Sequence, residues 1–201
     1  RGDWPELARL LDKAIDAVTS AEYAELVERW SKKHNLVSFR SREELVSRHI
    51  GDALAAAPHL SEHGRLLDVG SGAGLPGVPL LAVRPRWSGL LIEPRQTRWA
   101  FLRLVIRELE INASVERRRF EDAIPGVRFM VITARAVGFE DLGLSVLLPR
   151  LTPRGSLLLW VGVNDPVLPS GLGVRREVPL AGSSSRRILE IVRIAEPREG
   201  G

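Results

Sequence analysis

Apolar positions recur along this chain with two different periods. In the first 60 residues the spacing is helical. Asp3 and Glu6 form a capping box around Pro5 and open a helix that runs to about Val18. Ser20 caps a second helix, in which Tyr23, Leu26, Val27 and Trp30 fall at i, i+3, i+4 and i+7 on one stripe. Ser41 and Glu44 make another capping box, and Leu45, His49, Ala53 and Leu54 then share a face until Pro58 stops the helix. From Arg65 onward, short apolar runs alternate with helical stretches. The pattern predicts strands at 65–69, 88–93, 113–117, 128–134 and 155–161, with helices at 75–84, 94–110 and 139–150.

Such alternation implies parallel strands joined by right-handed crossovers. After Gly162 the rhythm changes. Val174–Leu180 and Arg187–Ile194 are β-rich runs on either side of Ala181-Gly182-Ser183-Ser184-Ser185, which predicts an antiparallel hairpin. The expected division is a helical segment, 1–64, packing on an α/β domain, 65–201, with a frayed tail at Pro197–Gly201. The expected fold is Rossmann-like: a mostly parallel seven-stranded sheet with a C-terminal antiparallel hairpin.

Candidate chemistry is concentrated where the first strand ends. In LLDVGSGAGLPG, Leu66 to Gly77, an apolar run and an acid are followed by four glycines within eight positions. Leu66, Leu67 and Val69 suit a strand buried on both faces. Gly70, Gly72 and Gly74 can take positive φ and let backbone N–H groups approach a ligand closely. Pro76 fits the first turn of the next helix, where a missing N–H costs nothing. Asp68 can organise the loop or face a cationic group. Two cofactors compete for this loop. Gly72, Gly74 and Gly77 fit G-x-G-x-x-G, and Glu93 follows at about the offset of a ribose-binding acid, as for a nicotinamide dinucleotide. The same segment spells acid-x-G-x-G-x-G, the first motif of S-adenosylmethionine methyltransferases. Asp68, two residues before the first glycine, favours that second reading.

Composition narrows the classes. With 201 residues the chain can bury a real core, and without cysteine it can form no disulfide, thiolate metal site or cysteine nucleophile. That removes pyrimidine-C5 methylation, which needs a cysteine to attack the base. No apolar window is long enough to span a membrane, so a cytoplasmic protein with no membrane partner is expected. The formal charge is +4, from 29 Lys+Arg against 25 Asp+Glu. The basic excess lies after residue 64, and such a surface suits a polyanion such as nucleic acid.

Several blocks together resemble one family. WSKKHNLVSF, SRHIGDALA, LDVGSGAGLPGVPLLAVRP, LLIEPRQTRWAFLRLVIREL, ITARAV and SSRRILEIVRI resemble, in this order, the blocks of the RsmG (GidB) family of bacterial small-subunit rRNA guanine-N7 methyltransferases. The resemblance covers nearly the whole chain. It implies a monomeric enzyme that uses S-adenosylmethionine, releases S-adenosylhomocysteine, needs no metal, and acts on the 530 loop of 16S rRNA or a small-subunit assembly intermediate. It places Asp68, Gly70, Ser71, Gly72, Gly74 and Leu75 around the cofactor, Glu93 on its ribose, and Phe120 and Glu121 on its adenine. Arg135 matches the arginine between the cofactor's methionine end and the base, with His49 and Arg186 beside it as catalytic residues. Arg48, Asp52 and Arg119 fall on the RNA side.

The chain also departs from that family. Trp160-Val161-Gly162 stands where the fifth strand usually ends in Lys-Gly, Phe129-Met130 replaces Phe-Asp, and Arg186-Arg187 replaces Arg-His. These changes lie on the substrate side and leave one alternative, a non-catalytic RNA-binding or assembly protein that keeps the fold; the G-x-G-x-x-G register of the loop leaves another, an NAD-binding oxidoreductase. For the chemistry implied by the resemblance, guanine N7 carries a lone pair and loses no proton, so no general base is required. The fourth-strand segment Ile132-Thr133-Ala134-Arg135-Ala136 accordingly lacks the N/D-P-P-Y/F set that holds an exocyclic amine.

Overall fold

A computed structural model describes residues 21–122 and 126–194. The expected helix over Asp3–Val18, the cap at Ser20 and the tail at Pro197–Gly201 lie outside the described residues.

Seven strands form one sheet: β1 (Gly64–Val69), β2 (Trp87–Ile92), β3 (Ala113–Glu116), β4 (Phe129–Arg135), β5 (Leu151–Val161), β6 (Leu172–Pro179) and β7 (Arg187–Arg193). Their order is β3-β2-β1-β4-β5-β7-β6. β1 to β5 are parallel, whereas β7 runs antiparallel to both β5 and β6. An all-parallel dinucleotide-binding sheet has no such inserted strand. The expected Rossmann-like methyltransferase architecture is therefore present, including the hairpin.

The central strands are buried on both faces, which is why they read as continuous apolar runs. Leu66, Leu91, Val131 and Leu158 face one core with Tyr23, Leu45, Val78, Phe101 and Leu102. Leu67, Ile92, Ile132 and Leu159 face the other with Leu142 and Leu147. Each fully buried side chain of this size contributes about 1.5–3 kcal/mol.

Helix α1 (Ala21–His34) follows the predicted stripe, with Tyr23, Leu26 and Val27 buried and Trp30 partly so. The next predicted helix begins as expected: Ser41 Oγ accepts from Glu44 N at 3.2 Å, and Glu44 Oε2 accepts from Arg40 N at 2.7 Å. It is not one regular helix, however. α2 (Arg42–Glu44) passes into a π turn (Leu45–Ile50), then α3 (Gly51–Leu54), and Pro58 sits in a following 3-10 turn (Ala57–His59).

Further along, α4 (Gly77–Ala82) and α5 (Gln96–Glu108) match two predicted helices. Pro76 precedes α4 rather than opening it, after a cis Leu75–Pro76 bond. The helix predicted over 139–150 breaks into a 3-10 turn (Glu140–Leu142), α6 (Leu144–Leu147) and another 3-10 turn (Leu148–Arg150). Gly143 takes φ +51 and Pro149 offers no N–H, so an unbroken hydrogen-bond ladder cannot form. No helix of the described residues is long and apolar enough to cross a membrane.

Candidate active site

β1 ends at the centre of the sheet between β2 and β4, so the glycine loop opens at the carboxyl edge, where ligands bind in open α/β sheets. The backbone of this loop is tightly committed. Ser71 N donates to Ile92 O at 3.0 Å, and Gly74 N and Leu75 N both donate to Ser71 O, at 2.7 and 3.2 Å. Gly72 N donates to Glu93 Oε2 at 3.0 Å. The hydroxyl of Tyr23 donates to Ala73 O at 2.9 Å.

The sequence places Asp68 and Ser71 at the cofactor loop, where Asp68 can organise the loop or face a cationic group. Their side chains brace the loop through bonds within the chain. Asp68 is fully buried; its Oδ1 accepts from Thr133 Oγ1 at 2.7 Å and its Oδ2 from Gly77 N at 3.3 Å. Ser71, also buried, donates its hydroxyl to Asp68 O at 3.0 Å. Burial pushes the Asp68 carboxyl up to about 6, while hydrogen bonds from Thr133, Ser71 and Gly77 and the charge of Arg135 pull the other way. The acid thus ties together β1, β4 and the start of α4.

Glu93, just past β2, is buried, with Oε2 on Gly72 N and Oε1 on Arg95 N at 2.8 Å. A carboxylate accepts about four hydrogen bonds, so two lone pairs remain for a ribose diol. Glu93 and the glycine backbone fit the nucleoside half of an adenosyl cofactor.

Beside this loop lies a cluster of polar side chains from four separate parts of the chain. Arg135 is the last residue of β4, and Ala136 turns away at φ +57, a conformation uncommon outside glycine. The Arg135 guanidinium donates to His49 O at 2.9 Å and His49 Nδ1 at 3.2 Å, and lies 3.9 Å from Asp52 Oδ2. Arg186, at the turn before β7, also donates to Asp52 Oδ2. Trp160 Nε1 donates to Asp52 O at 2.9 Å. Burial raises the Asp52 carboxyl above its usual range against the pull of Arg186 and Arg135.

The π turn has a part in this arrangement. Its i→i+5 bonds give way to i→i+4 bonds in α3, and the change of register leaves one carbonyl without a backbone donor. His49 lies in this turn, and its carbonyl receives Arg135.

Arginine can only donate, so His49 Nδ1 is the acceptor and the imidazole is neutral with its proton on Nε2. Burial first, and then the charge of Arg135, hold His49 below its ordinary pKa. On acidification it gains a proton, loses that lone pair and sets a second cation against Arg135. Methyl transfer is expected to fall along an acidic limb below the ordinary histidine range. In His49→Gln, which has no titrating ring, that limb should be weakened or lost. An identical pH profile in both proteins would remove His49 from the limb.

The fold therefore brings His49, Asp52, Arg135 and Arg186 together, and sets Gly70, Ser71, Gly72, Gly74, Leu75 and Glu93 around one loop. Other expected site residues stand apart from these contacts. Arg48 is exposed and pairs with Glu44 at 3.1 Å. Arg119 and Glu121 are exposed beyond β3. Phe120 is partly buried against the second core and lies against Gly143, where an added Cβ would meet its ring at 2.8 Å.

Three participants are missing from the sequence reading. Tyr23 reads as one more apolar stripe residue, and Trp160 only as the neighbour of Val161, which stands in place of a lysine. Thr133 carried a usable sign: a hydroxyl in a strand buried on both faces must find a partner.

Comparison with known proteins agrees with this geometry. The family model for rRNA small subunit methyltransferase G matches residues 18–165. A ribosomal RNA small subunit methyltransferase G from Xanthomonas axonopodis pv. citri is 36% identical over 193 residues, covering 92% of this chain and 90% of its own. Among solved structures, a putative methyltransferase from Escherichia coli superposes with a TM-score of 0.57 at 20% identity, covering 70% of this chain and 82% of its own. The ribosomal protein L11 methylase from Lactobacillus delbrueckii subsp. bulgaricus superposes with a TM-score of 0.58 at 15% identity, covering 78% and 81%. At these identities the two structures establish the fold alone. The match of sequence over most of the chain goes further: this protein belongs to the rRNA small subunit methyltransferase G family.

Proposed function

We propose that the protein is an S-adenosylmethionine-dependent methyltransferase acting on N7 of a guanine in the 530 loop of 16S rRNA. The observation that carries this reading is the family match over residues 18–165, which spans both the glycine loop and the Arg135–Asp52 cluster. When bound, S-adenosylmethionine supplies a methyl group on a positively charged sulfur. The chain's own residues supply placement. Glu93 and the loop backbone hold the nucleoside end. Arg135 and Arg186, on the Asp52 carboxylate, present cationic donors to phosphate and to the O6 edge of the base. The N7 lone pair needs no deprotonation, so catalysis rests on proximity and orientation.

The substrate is expected to be protein-free or partly assembled 16S rRNA, because single-stranded loops expose base edges that a folded subunit buries. The reading also makes the enzyme a cytoplasmic monomer.

Two measurements test it. Calorimetry should show S-adenosylmethionine binding tighter than NAD. Mass mapping of rRNA from a strain lacking the protein should show one N7-methylguanine missing, and restored by the wild-type chain. An unchanged modification map would reject this substrate.

A further inference from the structure

We propose that helix α1 is a wall of the cofactor site, and that Tyr23 is a positioning residue that sets affinity for the adenosyl cofactor by holding the glycine loop in its binding shape. The proposal rests on the cofactor reading above.

Tyr23 is fully buried, yet its hydroxyl is spent on one atom, the carbonyl of Ala73, 50 residues away at 2.9 Å. Ala73 stands between Gly72 at φ +56 and Gly74 at φ +91, where a backbone has little steric reason to keep one conformation. Fixing the Ala73 carbonyl fixes the Ala73–Gly74 peptide plane, and with it the Gly74 N–H, which donates to Ser71 O at 2.7 Å. The adjacent Gly72 N–H is the one that meets Glu93. A single phenol thus orders the peptide groups nearest the ribose acid. Burial and the nearby Asp68 carboxylate push the Tyr23 hydroxyl well above its usual range, so it keeps the proton it donates.

The other end of the same helix packs on the helix that follows β2. Trp30 packs on Phe101 with ring centroids 5.4 Å apart, and Phe101 belongs to α5, the helix that follows Glu93. α1 therefore spans the loop after β1 and the helix after β2, the two segments between which the nucleoside half would lie. A loop already ordered in its bound shape forgoes an entropic cost on binding, which appears as affinity.

Tyr23→Phe removes only the hydroxyl. Losing one hydrogen bond of this kind should weaken S-adenosylmethionine binding about five- to tenfold. By calorimetry Kd should rise by that factor, and KM for the cofactor should follow. At saturating cofactor, kcat on the rRNA transcript should stay within about twofold, the pattern left when uniform binding is lost.

Val27→Ala is the structural control, since Val27 is a fully buried core residue of the same helix and apolar stripe. It should lower the thermal midpoint and leave Kd unchanged. The proposal is overturned if Tyr23→Phe leaves Kd within twofold of wild type, or if both variants raise it equally. Should wild-type protein fail to bind S-adenosylmethionine at all, the cofactor reading itself falls, which is a separate result.

Discussion

Gly74→Ala should abolish detectable S-adenosylmethionine binding and lower the thermal midpoint. Gly74 sits at φ +91, a region that disfavours any side chain, and its added Cβ would lie 2.6 Å from Val78 Cγ2 and 3.2 Å from Leu102 Cδ2. Val78 and Leu102 are both fully buried in the first core, so neither can move aside cheaply. The left-handed backbone costs an L-residue about 1–2 kcal/mol, and forcing a methyl into a packed site about 1–3 more. Relief by moving the loop would break the short bonds of Gly74 to Ser71 and Val78, which are the loop's own frame.

Gly171→Ala separates strain from crowding. Gly171 has φ +80 but open space around its would-be Cβ, and it lies in the turn before β6. Its alanine variant should lose roughly 1–2 kcal/mol of stability and bind the cofactor normally. Wild-type cofactor affinity in Gly74→Ala, read by calorimetry, would show that the loop is not the site.

The second large effect is expected at Arg135. Its guanidinium gives two bonds to His49 and faces Asp52, so it connects the end of β4 to the π turn and α3. Arg135→Ala leaves the His49 carbonyl without its donor and Asp52, nearly buried, with Arg186 as the remaining close cation. Misplacement of a reacting group by about 1 Å costs roughly 100-fold in rate, and that is the minimum loss expected in methyl transfer to the rRNA transcript. Arg135→Lys should not restore it, because an ammonium on a flexible stem cannot reproduce a planar pair of N–H bonds to one residue. Incorporation of labelled methyl groups provides the measure; a lysine variant as active as wild type would show that charge alone is what position 135 supplies.

Much of this architecture could be read before any coordinates. Alternation of buried runs with helical stretches after Arg65 predicted the parallel strands, because a strand covered on both faces has no polar side to show. The Gly/Ser turn at 181–185 predicted the final hairpin. Asp68 and the glycines marked the loop, because only a few residue types tolerate its backbone.

The predictions failed where the deciding contact was non-local or lay in hydrogen-bond register. The helix over 139–150 has suitable apolar spacing, but Gly143 and Pro149 break its ladder. The π turn over Leu45–Ile50 has no counterpart in the side-chain pattern, since a changed register alters which carbonyl is left free rather than which residues are apolar. Asp68 illustrates a different limit: its position and a part in organising the loop were evident, but its partners, Thr133 and the Gly77 N–H, were not.

By itself the sequence determined the fold class, the place of the glycine loop and the family, since each is encoded in local spacing or in ordered blocks of residues. Only the tertiary structure decided which side chains act together. Arg135 meets His49 across 86 positions, Arg186 meets Asp52 across 134, and Tyr23 meets Ala73 across 50. Such pairs depend on how the sheet is ordered and how the helices lie against it. A polar group inside the core must find its partner wherever the fold places one, and neighbouring residues carry no record of that choice.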